Sequence, residues 1–130
     1  MTERKRTRIT RLASIQFALA GLGFMLRTEP NAQIHAGVTV LAVGAGLVFG
    51  LTPGDWRWVI AAVAWVWTAE ALNTAFEHLC DAVSPEFNVS VQRAKDVAAG
   101  AVLASATGAA LVGAMVFLPY LAAYVSRPGL

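Results

Sequence analysis

The chain has 130 residues, enough for one compact unit and too few for two ordinary domains. Hydrophobic residues make up 57% and charged residues 14%, which excludes an ordinary soluble domain. The net charge of +2 is unevenly spread: Arg4, Lys5, Arg6, Arg8, Arg11 and Arg27 all precede the first long apolar stretch.

Residues 1–8 form a short basic arm. Attraction to anionic lipid headgroups explains it more simply than nucleic-acid binding does. Apolar residues then recur at Ile9, Leu12, Ile15, Leu19, Leu22 and Leu26, near a helical period. This predicts an amphipathic helix over 9–27, lying in the membrane interface and loosened by Gly21 and Gly23; the alternative is a fourth, poor span. The basic arm runs into this segment rather than into a short apolar core with a cleavage site, so no cleavable signal peptide is expected.

Thr28-Glu29-Pro30-Asn31 breaks the pattern, and Pro30 suits the opening of a new helix with Glu29 beside its N-terminus. A bilayer span needs about 20 mostly apolar residues. The region 28–130 holds three candidates: Ile34 to Leu51, Trp56 to about Asp81, and Val97 to about Val125 with Pro119 near its far end. Thr52-Pro53-Gly54-Asp55 reads as a tight turn that makes the first two spans an antiparallel pair. After the loop Ser84-Pro85-Glu86-Phe87-Asn88, Ser90 is expected to cap a short continuation through Arg93, Lys95 and Asp96. Small residues four apart, Gly46 and Gly50, then Gly100, Ala104 and Gly108, are weak signals of close helix contact. The fold class is therefore an all-α membrane protein with one interfacial helix and three transmembrane helices.

Arg93 and Lys95 join the basic arm on one side, against Arg57 and Arg127 on the other. The positive-inside rule then places the N-terminus in the cytoplasm and the C-terminus outside, with Trp56, Trp58, Tyr120 and Tyr124 as an outer aromatic belt. Cys80 is the single cysteine, so no internal disulfide forms; packing is its simplest role.

The second span carries the chemistry. Glu70, Asn73, Glu77 and Asp81 fall at i, i+3, i+7 and i+11, within about 80° of one another and along about 16 Å of helix. An acid in mid-bilayer costs about 2.5–3.5 kcal/mol, so the stripe should face protein, water or ions. Lys95 and Asp96 open the third span, and Glu29 and Asn31 the first, at the same level. Carboxylates hold magnesium together with substrate phosphates. A lysine offsets phosphate charge, and a glutamate at the lipid edge suits general-base work. These are the parts of phosphoryl transfer, which rests on positioning and charge neutralisation. No glycine-rich phosphate loop of the Walker or protein-kinase type is present, which excludes a soluble-type nucleotide fold. The rival reading is a small transporter or structural membrane subunit in which Glu70 relays protons or cations. Simple interhelical bonding by Asn73, helix capping by Asp96, and interface roles for His35, His78, Trp65 and Trp67 are the plainer readings of those residues. The two tryptophans could also border a lipid groove.

Glu70-Ala71-Leu72-Asn73-Thr74-Ala75-Phe76-Glu77, then Asp81, then Ala94-Lys95-Asp96-Val97-Ala98-Ala99-Gly100, resembles the prokaryotic diacylglycerol kinase family, which includes undecaprenol kinases. The likeness extends upstream to Glu29, Asn31, Ile34 and His35, and covers roughly residues 9 to 120. It implies a three-span lipid kinase of a bacterial cell membrane, usually a homotrimer with sites shared between protomers. ATP would be co-substrate and Mg2+ the cofactor. Position by position, Glu70 matches the catalytic base, while Glu29 and Glu77 match metal-binding acids. Asn73, Glu77, Asp81, Lys95 and Asp96 match the nucleotide side. Gln16, Ala20 and Gly23 stand where relatives tend to have charged or more polar side chains, which touches substrate choice. The Glu29–His35 run and the Ser84–Phe87 loop look more like the Gram-positive branch, and favour undecaprenol over diacylglycerol as the lipid alcohol.

Overall fold

Proline and its neighbours set most of the helix boundaries. The computed structural model describes residues 11–126 as α1 (Arg11–Thr28), α2 (Pro30–Phe49), α3 (Pro53–Val83) and α4 (Val89–Val125), with no strand among them. The basic arm, Ile9 and Arg127 lie outside the described residues. Pro30 and Pro53 each open a helix where a backbone N–H is not needed. Gly50 ends α2 in the left-handed region at φ 66°, where a Cβ would be strained, and Leu51 N then donates to Gly46 O at 3.0 Å. Gly50 thus serves as a helix stop rather than as part of a contact stripe with Gly46.

The start of α4 differs from expectation. Asn88, not Ser90, caps α4: its Oδ1 accepts from Ser90 N at 2.9 Å and Val91 N at 3.3 Å. Both residue types make good caps, but the amide oxygen here serves two orphan N–H groups at once. Arg93, Lys95 and Asp96 therefore belong to α4 itself, which also runs unbroken through Pro119. Membrane helices accommodate such a proline.

Helices α2, α3 and α4 are each long and apolar enough to cross a membrane. Much of their apolar surface, including Leu41, Val48, Leu103 and Met115, is exposed on the single chain, as suits contact with lipid. α3 packs chiefly on α4 and more lightly on α2. The apolar core lies toward the α2–α3 turn, where Leu51, Val59 and Val116 meet Trp56, Val63 and Phe117. Gly46 sits under the Trp56 ring, so a Cβ there would lie 2.7 Å from Trp56 Cη2. Nothing lies within 4 Å of a Cβ built at Gly100 or Gly108, so close contact within the chain is made at Gly46 and not along the α4 stripe.

α1 meets the bundle near its C-terminal end. Met25 is buried, and Phe24 stacks on His78 with centroids 5.2 Å apart. Leu12, Ile15 and Leu19, the periodic stripe, stay exposed. Phe17 and Phe24 lie about 150° around the helix from that stripe, so apolar residues occupy both sides and the amphipathic division is weak.

Candidate active site

The end of the bundle away from the α2–α3 turn gathers polar groups from α2, α3 and α4. Three contacts between helices draw them together. His78 Nε2 of α3 lies 3.8 Å from Glu29 Oε1 at the start of α2. His35 Nε2 of α2 lies 3.8 Å from Glu70 Oε2 of α3. Lys95 Nζ of α4 donates to Asp81 Oδ1 of α3 at 2.9 Å. Near the second contact, Trp67 Nε1 donates to Thr39 Oγ1 at 3.1 Å, and that hydroxyl donates to the His35 carbonyl at 2.7 Å. The turn of α2 that carries His35 is thereby tied to α3.

Glu70 is the largest fully buried side chain described, with 2% of its surface exposed. Its Oε2 has no hydrogen-bond partner, and neither have Asn73 Oδ1 and Thr74 Oγ1 beside it. Burying such groups unpaired is costly, so three together mark a place built to meet something else. The carboxylates of Glu29 and Glu77 act electrostatically on Glu70, and Asn73 Nδ2 donates to Glu77 Oε1 at 3.0 Å. Glu29 also accepts from Thr28 Oγ1 at 3.0 Å.

The fold brings Glu29, Glu70, Asn73 and Glu77 into one neighbourhood, with the Asp81–Lys95 pair at its rim. Asp96 stands apart from that group in its bonding: it accepts from Gln92 Nε2 at 2.8 Å, one turn earlier in α4. It lies well inside the helix and does not cap it. Cys80 is buried, in keeping with a packing role. Thr74 is the member that sequence reasoning missed, while His35 and His78, read as interface residues, each meet an acid across a helix boundary. Their signal was faint because both histidines lie off the Glu70 line, and what matters is the rotation of one helix against another.

Among the described residues, no three His, Cys, Asp or Glu side chains are placed to cage a metal ion by themselves. Magnesium is usually held by one or two carboxylates, with phosphate oxygens and water completing its shell. Two hard oxygen donors, Glu29 and Glu77, and the unpaired oxygens of Glu70 and Asn73 fit that chemistry.

An apolar groove of about 570 Å³ runs between α2, α3 and α4, lined by Val38, Ala42, Val63, Val66, Ala106 and Ala109 among others. Along α2 it extends from Ile34 and His35 to Ala45, about 16 Å of helix. His35 and Thr39 are the polar residues of its wall, and both stand at the Glu70 end. A shallower groove on the α3–α4 face is bordered by Trp65, which is exposed, and reaches Asn73. Trp67 instead makes the bond to Thr39.

The profile described as prokaryotic diacylglycerol kinase matches residues 16–117, a stretch that contains every member of this polar end. The chain belongs to the prokaryotic diacylglycerol kinase family. Within that kinase family, it is 34% identical to an undecaprenol kinase of Bacillus subtilis over 107 residues, covering 81% of this chain and 87% of the relative. A diacylglycerol kinase of Synechocystis sp. is 33% identical over 109 residues, covering 83% of this chain and 62% of the relative. The matched stretch runs from within α1 to near the end of α4 and so includes most of all three apolar helices.

Proposed function

We propose that this membrane lipid kinase transfers the γ-phosphate of ATP to the hydroxyl of a lipid alcohol, undecaprenol in preference to diacylglycerol. The observation that carries the reading is the buried, unpartnered Glu70 Oε2, 3.8 Å from His35, which lines the polar end of an apolar groove. A hydrocarbon chain laid in that groove would bring its terminal hydroxyl to Glu70. The groove's walls are mostly alanine and valine. The undecaprenol kinase of Bacillus subtilis as a relative supports the choice of undecaprenol.

Glu70 takes the hydroxyl proton as the oxygen attacks phosphorus. Lys95 exchanges the Asp81 oxygen for phosphate oxygens and offsets their charge. Asn73, Asp81 and Asp96 orient the nucleotide side. Glu29 and Glu77 are the residues that would hold magnesium, which when bound neutralises charge on the phosphates. We read the assembly as a homotrimer with sites shared between neighbours, as the resemblance to the family implies. The polar end lies at the cytoplasmic face, where ATP is available, and the α2–α3 turn and C-terminus lie outside; the Arg93 and Lys95 side supports this orientation.

The test is phosphate transfer from labelled ATP in mixed micelles, with undecaprenol and diacylglycerol in parallel. Labelled undecaprenyl phosphate should form with the higher kcat/KM. Faster labelling of diacylglycerol would reverse the acceptor choice. Absence of any labelled lipid, with solute uptake into vesicles, would favour the transporter reading instead.

A further inference from the structure

Glu29 occupies the N-cap of α2, with an extended backbone at φ −99° and ψ 114°, yet its side chain makes no capping bond to that helix. Ser, Thr, Asp and Asn are the side chains suited to that bond, and glutamate is not among them. The carboxylate meets α1 and α3 instead. Thr28 Oγ1, at the end of α1, lies 3.0 Å from Glu29 Oε1 and 3.1 Å from the Phe24 carbonyl. The hydroxyl has one proton to give, and the charged carboxylate is the stronger acceptor of the two.

The backbone beneath this carboxylate is fixed on both sides. Glu29 N donates to Met25 O at 2.9 Å, and Glu29 O accepts from Gln33 N at 3.2 Å. Gln33 Nε2 donates to Leu26 O at 3.3 Å, which ties the first turn of α2 to the last turn of α1. Met25 and Ala32, on either side of this corner, are buried. Phe24, one turn before Thr28, stacks on His78 and sets the corner against α3. His78 Nε2 lies 3.8 Å from Glu29 Oε1, too far for a hydrogen bond. Among the described residues, Thr28 is thus the sole hydrogen-bond partner of the Glu29 carboxylate.

We propose that Thr28 is a positioning residue for the metal site: its hydroxyl holds Glu29 Oε1 and leaves Oε2 to a divalent cation carried by the nucleotide phosphates. This rests on the reading of Glu29 as a metal ligand. Thr28 acts through Glu29 and touches neither the cation nor the substrate. A glutamate side chain loses rotamer freedom when it takes a cation, and a hydrogen bond already in place removes part of that loss in advance. Hydrogen-bond partners of ligating side chains typically contribute about ten- to hundredfold in metal affinity.

The test is Mn2+ binding by the full-length protein in detergent micelles, followed by electron paramagnetic resonance with a non-hydrolysable ATP analogue. Thr28→Val removes the hydroxyl and keeps the branched shape; Thr28→Ala removes it too, and Thr28→Ser keeps it. The first two should weaken nucleotide-dependent Mn2+ binding about tenfold, and Thr28→Ser should stay within about twofold of the parent. The Mg2+ concentration for half-maximal lipid phosphorylation should rise in step, by a larger factor than kcat falls. On a Glu29→Ala background, Thr28→Val should weaken Mn2+ binding no further. Three results would each overturn the role of Thr28: parental binding in Thr28→Val or Thr28→Ala, equal weakening in Thr28→Ser, or the full loss repeated on the Glu29→Ala background. Parental binding in Glu29→Ala would instead remove Glu29 as a ligand. Weakened binding in Glu29→Ala beside parental Thr28→Val removes only the positioning role.

Discussion

At one end of α3, Asp55 accepts hydrogen bonds from Thr52 Oγ1 and from Tyr120 Oη, each at 2.6 Å, while Thr52 Oγ1 accepts from Asp55 N at 3.2 Å. Tyr120 Oη also accepts from Thr52 N at 3.2 Å, so α4 is fastened to the α2–α3 turn. Near the middle of the same helix, Glu70 is buried with one oxygen unpaired. Asp55 is exposed enough to do without partners and has several; Glu70 is buried enough to need them and lacks one. The first arrangement closes a turn. The second holds a cost of roughly 1–3 kcal/mol per unpaired group, which a substrate or metal can relieve. One acid closes the fold; the other, on our proposal, serves the chemistry.

Glu70→Gln should break the contrast most severely. The amide keeps the shape but cannot take a proton, so kcat should fall about 10²–10⁴-fold while folding and ATP binding persist; steady-state labelling of lipid with parallel nucleotide binding checks this. Gly46→Ala acts at the opposite end. Its methyl meets the Trp56 ring, and the displacement should cost about 1–3 kcal/mol of stability, read by thermal unfolding in detergent, with little change in kcat. Tyr120→Phe removes the fastening of α4 to the turn and should lower the unfolding midpoint by less than Gly46→Ala, again without altering catalysis. Trp67→Phe is the mildest, with loss of one interhelical hydrogen bond worth about 0.6 kcal/mol. It sharpens the comparison nonetheless, because the bond supports the His35 turn. A small stability change with a clear fall in turnover would place Trp67 with the catalytic end.

Much of this division was legible in the residues themselves. The charge-free stretches marked three spans, and Pro30 and Pro53 stand at boundaries their backbone chemistry favours, while Gly50, read as a packing residue, proved to be the stop of α2. The i, i+3, i+7 spacing put Glu70, Asn73 and Glu77 on one face, and Asn73 does bond Glu77. What a single helix cannot reveal is its rotation against its neighbours. His35 and His78 lie off the Glu70 line, yet each meets an acid across a helix boundary. Asp55 and Tyr120 are 65 residues apart, and no local pattern joins them. The α1 stripe stays exposed, as an interfacial helix requires, and the contact with His78 is made by Phe24, which the periodicity did not count.

The central claim is that acids from α2 and α3 hold a metal–triphosphate beside Glu70. Its most direct test is binding of Mn2+, in place of Mg2+, followed by electron paramagnetic resonance with a non-hydrolysable ATP analogue. The parent should bind Mn2+ weakly alone and much more tightly with the nucleotide. Glu29→Ala and Glu77→Ala should each reduce that nucleotide-dependent binding about ten- to hundredfold. Undiminished binding in the double variant Glu29→Ala with Glu77→Ala would contradict the account.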